Sequence, residues 1–227
     1  MQKNEIEIRL KKLKAELKKV ELIAVSKYSE IEDVVRAYEC GQLSFGENRV
    51  SDLEIKAEYF KNNNLNDVKW HFIGHLQSNK ARELLKIPGL YAIHSVDSLR
   101  LLEELLKKEH EFKGSELKIF FQINTSHENE KSGFESMDEL KKAVQLLLTR
   151  TDSKLKIEGL MTMGAIRTED VKASALKSFR DLKAIREQLS ITFGLSHLKL
   201  SMGMSGDYKE ALAEGADYIR IGSLIFK

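Results

Sequence analysis

Residues 22–45 read LIAVSKYSEIEDVVRAYECGQLSF, and this stretch contains the unit that recurs along the chain. The apolar run 22–26 predicts a buried strand, the helical spacing of apolar residues over 31–40 predicts a helix, and 42–45 predicts a second strand. Because a helix connects the two strands, they are expected to lie parallel in one sheet. The stretch therefore predicts a βαβ unit.

The same alternation continues over the 227 residues. Strands are predicted at 22–26, 42–45, 69–73, 91–95, 118–123, 156–161, 197–202 and 218–221. Helices are predicted at 31–40, 47–60, 78–85, 98–108, 137–148, 171–189 and 205–213. Eight strands favour a closed (β/α)8 barrel of the TIM type. The alternative is an open doubly wound sheet, which usually has about five or six strands.

The N-terminal segment, residues 1–20, precedes the first strand. Its apolar residues recur at intervals of three and four, as expected of an amphipathic helix; they are Ile6, Leu10, Leu13, Leu17 and Val20. We expect this extra helix to pack on the barrel, and we expect residues 1–227 to form a single domain.

Composition excludes several classes of protein. The 37 basic and 35 acidic residues give a net charge of +2, so neither a nucleic-acid nor a membrane surface is expected. No run of about 18 apolar residues is present. Cys40 is the only cysteine, so no intrachain disulfide is possible, which suits a reducing compartment. We expect a cytoplasmic monomer.

A metal site is not expected. His71 and His75 are four residues apart, which suits shared metal ligation on a helix, but this stretch is predicted to be strand and turn. Hydrogen bonding or stacking near a ring is the favoured interpretation of both histidines.

Active sites of such barrels lie at the carboxyl ends of the strands. Lys27 directly follows the first strand, where partial desolvation of its amine would favour the neutral nucleophile needed for a Schiff base. A solvated lysine at the start of a loop is the alternative. Asn48 follows the second strand within FGENR, residues 45–49, and capping of the next helix is its alternative role.

Residues 200–207, LSMGMSGD, follow the seventh strand and precede a helix. The two glycines allow backbone N–H groups to approach an anion, and the helix N-terminus adds positive potential. Ser201 and Ser205 supply hydroxyl groups. The alternative is an ordinary Gly/Ser turn in which Ser205 or Asp207 caps the helix.

Residues 220–223, RIGS, end the eighth strand. Strand alternation places Arg220 and Gly222 on one side and Ile221 on the other. If that side is the barrel lumen, Arg220 is a buried cation that needs a partner, and Gly222 and Ser223 offer N–H groups to a phosphate. An edge arginine paired with a local carboxylate is the alternative.

Together these segments resemble the pyridoxal 5′-phosphate (PLP) homeostasis protein family, the one-domain relatives of the alanine racemase N-terminal barrel. The matching stretches run in order along nearly the whole chain; they are AVSK (24–27), FGEN (45–48), WHFIGHLQSNK (70–80), HSVD (94–97), QIN (122–124), KSG (131–133), GLM (159–161), LSMGMS (200–205) and RIG (220–222). The chain departs from the family at Tyr28, where threonine is usual, and at Lys227, where a terminal glycine is frequent.

The resemblance implies that Lys27 carries PLP as an aldimine and that Arg220 meets the pyridine nitrogen. It also implies that Ser201, Gly222 and Ser223 contact the phosphate, with Asn48 nearby.

The function implied is intracellular PLP homeostasis, by buffering the cofactor or delivering it to apo forms of PLP-dependent enzymes, without robust turnover. Arginine keeps its proton, so Arg220 favours a neutral pyridine nitrogen and a weaker electron sink. A two-base racemase also needs a group on the opposite face, which a second domain supplies in two-domain relatives and which we do not expect here. The alternatives are a PLP-dependent amino-acid racemase and an aldolase-type lyase that uses Lys27 without a cofactor.

Overall fold

The computed structural model describes residues 3–125, 132–164 and 170–227, and its eight parallel strands close into one barrel. The ring is completed by β1, which pairs with both β2 and β8. Strands β1 to β8 span Glu21–Val25, Ser44–Glu47, Lys69–Phe72, Leu90–Val96, Leu117–Gln122, Leu155–Met161, Lys199–Ser201 and Tyr218–Ile221. The predicted TIM-type barrel is confirmed, and the open-sheet alternative is wrong.

The helices surround this barrel. Helices α1 to α9 span Lys3–Leu17, Ile31–Glu39, Val50–Asn62, Ala81–Leu85, Leu99–Lys108, Met137–Leu148, Val171–Phe193, Tyr208–Ala213 and Ser223–Phe226, and short 3-10 turns cover Ser78–Lys80 and Glu109–Glu111. Helix α9 was not predicted, because four residues are too few for an apolar period to appear. No helix within the described ranges combines the length and the apolar character needed to cross a membrane.

The N-terminal helix α1 has one buried side. Ile6, Leu10 and Leu13 are buried along one side of α1. Near the middle of α1, Arg9 Nη1 donates a hydrogen bond to the carbonyl of Ile225 in α9 at 3.3 Å. Helix α1 therefore contacts the short helix that follows the last strand.

Two predicted helices begin later than expected. The helix predicted from residue 47 begins at Val50, because Glu47 is the last residue of β2. Its side chain is fully buried and bonded to Ser26 and Lys56, which draws it into the sheet. The helix predicted from residue 205 begins at Tyr208, which leaves a longer loop after β7.

Two cores stabilise the fold. The larger one lies between the sheet and the helices, and the smaller one fills the barrel lumen with Ile23, Ala92, Phe120, Met161 and Tyr218. Nonpolar burial of this kind contributes about 25 cal/mol per Å² removed from water. The lumen core closes the interior of the barrel beneath the polar residues at the carboxyl ends of the strands.

Candidate functional site

A cavity of about 470 Å³ opens at the carboxyl ends of the strands. Its walls come from the loops after β1, β2, β3, β6, β7 and β8. Among its lining residues are five of the six that the sequence analysis selected, namely Lys27, Asn48, Arg220, Gly222 and Ser223. A TIM-type barrel is expected to have its active site at this end.

Lys27 lies in a turn at the mouth of this cavity. The Ser29 N–H donates to the Ser26 carbonyl at 3.0 Å, and Tyr28 has a φ of 66°, so residues 26–29 form a turn of type II. Lys27 Nζ lies 5.8 Å from the centroid of the Tyr28 ring. The side chain of Lys27 is exposed, so the predicted desolvation of its amine is wrong.

Arg220 forms the floor of the cavity and is only 4% exposed. Its Nη1 donates to Ser201 Oγ at 2.7 Å and its Nη2 donates to the Thr162 carbonyl at 2.9 Å. Burial lowers the pKa of Arg220 to about 10, although the negative charge of Asp207 opposes this shift. The guanidinium stays protonated at neutral pH, and the alternative of an exposed edge arginine is wrong.

Ser201 lies beneath Arg220 rather than on the cavity wall. It is fully buried and is not one of the described residues that line the cavity. Because a guanidinium only donates, Ser201 Oγ accepts from Arg220, and the same oxygen lies 2.9 Å from His94 Nδ1. The predicted contact of Ser201 with the phosphate is therefore corrected to a contact with Arg220.

Two histidines extend this chain of hydrogen bonds into the lumen. His94 Nε2 lies 2.9 Å from His71 Nδ1, and the ring of His94 stacks on Phe120 with centroids 4.1 Å apart. Burial is the main cause that lowers the pKa of His71 to about 3, and burial also holds the pKa of His94 well below its usual range. Both rings are therefore neutral, and Arg220 is supported by uncharged groups.

His71 and His75 have different hydrogen-bond partners. His71 is bonded to His94, and His75 Nδ1 lies 3.0 Å from Asp97 Oδ2. Within the described ranges, no three His, Cys, Asp or Glu side chains are grouped closely enough to hold a metal ion. The hydrogen-bonding role predicted for His71 is confirmed. His94 was not selected from the sequence, although its place two residues after the inward-facing Ala92 signals a lumen position.

The loop after β7 has the properties of an anion site. Asp207 Oδ1 accepts from the Met204 N–H at 2.6 Å, which closes the loop. In the described chain, the N–H groups of Ser205 and Gly206 donate to no backbone carbonyl, and both residues line the cavity. Gly203 has a φ of 89°, a left-handed conformation that suits glycine. Ser205 is therefore the serine of this loop that faces the cavity.

The loop after β8 faces the same space. Gly222 lies against β1, where an added Cβ would come within 3.0 Å of the Val25 carbonyl oxygen. Ser223 is the first residue of α9, so its N–H lacks an intrahelical acceptor. The cavity thus has two loops with backbone donors at one end.

Asn48 lies at the carboxyl end of β2. Its Oδ1 is buried and has no hydrogen-bond partner among the described groups. Arg49, not Asn48, is the N-cap of α3, and no side-chain capping bond forms there, so the capping alternative is wrong. Asn48 therefore offers an unpaired acceptor beside the cavity. Lys131, part of the matching KSG stretch, lies outside the described residues.

The family model described as the alanine racemase N-terminal domain matches residues 2–227. The chain belongs to this family. Within the family, the chain is 38% identical to the pyridoxal phosphate homeostasis protein of Helicobacter pylori strain J99 over 92% of this chain and 87% of that protein. It is 37% identical to the human protein of the same name, over 90% of this chain and 75% of that protein.

A solved structure of similar sequence has the same fold. PipY of Synechococcus elongatus PCC7942, whose structure was solved with PLP bound, is 33% identical and superimposes with a TM-score of 0.84. The match covers 98% of this chain and 100% of PipY. The resemblance inferred from the sequence, to the PLP homeostasis proteins of this family, is confirmed.

The neutral state of the buried histidines predicts a pH dependence of folding. The pKa values of both histidines are lower in the folded than in the unfolded chain. As pH falls below about 6.5, the unfolded chain binds protons that the folded chain does not bind, so the free energy of unfolding decreases. Between pH 6.5 and 5, each histidine should remove on the order of 1 to 2 kcal/mol from the free energy of unfolding.

Urea denaturation at several pH values measures this effect. In His94→Gln, the decrease in the free energy of unfolding that the two histidines cause between pH 6.5 and 5 should be about half as large as in wild type. His110→Gln is the matched control, because the His110 side chain is 68% exposed. Equal pH dependences in wild type and His94→Gln would contradict neutral burial of His94.

Proposed function

We propose that this protein binds PLP covalently through Lys27 and holds it for intracellular PLP homeostasis, by buffering the cofactor or delivering it to apo forms of PLP-dependent enzymes. One observation carries the proposal: an exposed lysine amine and a buried arginine face a single cavity that has backbone donors at one end. We further propose that the protein acts in the cytoplasm as a monomer.

The residues present fit the cofactor. PLP supplies an aldehyde that condenses with a primary amine with loss of water, and bound PLP can also act as an electron sink. Lys27 provides the amine, and Arg220 provides a permanent donor for the pyridine nitrogen. Ser205, Gly222 and Ser223 provide hydroxyl and N–H donors for the phosphate. The Asn48 amide, whose oxygen has no partner among the described groups, would hydrogen-bond a polar group of the cofactor.

The relatives support this proposal. The Helicobacter pylori and human proteins are named for pyridoxal phosphate homeostasis rather than for a reaction, and PipY was solved with PLP bound.

The surroundings of Arg220 support the absence of robust turnover. Its hydrogen-bond acceptors are the Ser201 hydroxyl and the Thr162 carbonyl, so it remains a cation and favours an unprotonated pyridine nitrogen.

The first test is the site of attachment. Lys27→Ala should abolish the visible absorbance of the PLP-loaded protein and the borohydride-trapped adduct, because the attacking amine is removed. Lys227→Ala is the control, since Lys227 is another lysine on the same cavity wall. Peptide mass mapping identifies the modified residue. Trapping on a different lysine in the wild type would rule out Lys27.

The second test concerns the phosphate. Ser205→Ala and Gly222→Val should each weaken PLP binding by roughly 10- to 100-fold, the range for hydrogen bonds to a charged group. Binding of pyridoxal, which has no phosphate, should change little in either variant. Equilibrium titration of both ligands makes the comparison. If wild type binds pyridoxal as tightly as PLP, these loops are not a phosphate site.

The third test separates a carrier from a racemase. In D2O, loss of the α-proton signal of added amino acids should stay far below about 1 per second, the low end of ordinary enzyme rates. Arg220→Glu should raise this exchange while PLP remains bound, because a carboxylate holds the pyridine nitrogen protonated and strengthens the electron sink. Proton NMR measures the exchange, with Lys27→Ala as the control. Wild-type exchange and inversion at about 1 to 10³ per second would instead favour the racemase.

A further inference from the structure

A buried ion pair lies directly behind the turn that carries Lys27. Lys56 Nζ, from α3, lies 2.5 Å from Glu47 Oε1, at the end of β2. Lys56 Nζ also donates to the Ser26 carbonyl at 2.7 Å, and Ser26 Oγ donates to the same Glu47 oxygen at 2.6 Å. Ser26 and Glu47 are fully buried, and Lys56 is 8% exposed.

The Ser26 carbonyl is the point at which this cluster meets the turn. It belongs to the peptide bond that joins Ser26 to Lys27, and it also accepts from the Ser29 N–H, which closes the turn. Tyr28, at the third position of the turn, has a left-handed φ that residues with a Cβ adopt at a conformational cost. The turn therefore needs support from its surroundings to keep this shape.

An ion pair of this kind is a poor source of stability. Desolvation of two buried charges offsets most of their attraction, and neutral side chains of similar volume often replace such a pair without loss. What the pair does fix is geometry, since it joins α3 and the end of β2 to the backbone next to Lys27. Lys56 is not among the described residues that line the main cavity, so it acts through Ser26.

We infer that the Lys56–Glu47 pair is a positioning device for Lys27. It holds residues 26–29 in the turn that presents the Lys27 amine to the cavity. This inference rests on the proposed function, because the amine is the group that bonds to PLP. Lys56 and Glu47 are positioning residues and do not contact the cofactor.

The main variant is the double substitution Lys56→Met with Glu47→Gln, which removes both charges while keeping similar volumes and an acceptor for Ser26 Oγ. We expect the unfolding temperature to stay within a few degrees and the binding of pyridoxine 5′-phosphate, which lacks the aldehyde, to stay within about twofold. Covalent attachment of PLP to Lys27 should slow by about tenfold or more, because the amine is no longer held in place.

Two controls accompany this variant. The double substitution Lys61→Met with Glu58→Gln removes an exposed ion pair from the same helix and should leave the rate of attachment unchanged. The single substitution Lys56→Arg keeps a donor cation and should keep most of the wild-type rate of PLP attachment. If the double variant at Lys56 and Glu47 attaches PLP at the wild-type rate, the inference is wrong.

Two further measurements keep the test independent of folding and of the proposed function. Ser26→Ala keeps both charges and loses one hydrogen bond, so it should slow attachment by about threefold; an unchanged rate contradicts the inference. In the protein without cofactor, hydrogen exchange of the Ser29 N–H, followed by NMR, should accelerate in the double variant. Failure of wild type to attach PLP to Lys27 would refute the proposed function, while unaltered Ser29 exchange would refute the positioning role.

Discussion

The hydrogen bonds that Arg220 donates to Ser201 and Thr162 determine how the centre of this barrel is arranged. A buried guanidinium has lost most of its hydration, and it remains charged only where acceptors replace the lost water. Because the acceptors here are a hydroxyl and a carbonyl, the positive charge is not cancelled by a bonded carboxylate. His94, in contact with Ser201, is kept neutral by burial and by this charge.

Closure of the barrel makes this arrangement possible. Ile23 pairs with Arg220 and Ala24 pairs with Ile221 across the β1–β8 seam, so the two ends of the sequence meet in a fixed register. Continued by one residue beyond Ala24 and Ile221, that register places Gly222 against Val25, where its lack of a Cβ allows close approach to the Val25 carbonyl. Lys27 follows two residues later. The register of a single strand pair thus sets the distance between the lysine and the loop after β8.

The sequence predicted those features that depend on residues close together in the chain, such as the positions of the strands. Apolar periodicity located all eight strands. Alternation along β8 put Arg220 and Gly222 on one side, and the structure shows that Arg220 is buried there. Two of the errors involve contacts between distant segments. Glu47 joins β2 because Ser26 and Lys56 bind its carboxylate, and Ser201 lies under Arg220 because β7 and β8 are neighbours. Nothing within a few residues of either position carries that information.

The contrast between Lys27 and Arg220 bears on how such a site is used. Catalysts commonly exclude water from the reacting groups, because exclusion strengthens electrostatic interactions and suppresses side reactions. Here Arg220, the proposed partner of the pyridine ring, is buried, whereas Lys27, the proposed site of covalent attachment, is exposed at the cavity mouth. Release of an aldehyde from an amine consumes water, and transfer to a second amine requires access for that amine. An exposed Lys27 would meet both requirements, and this is the reason that we propose exchange of the cofactor rather than chemistry on it.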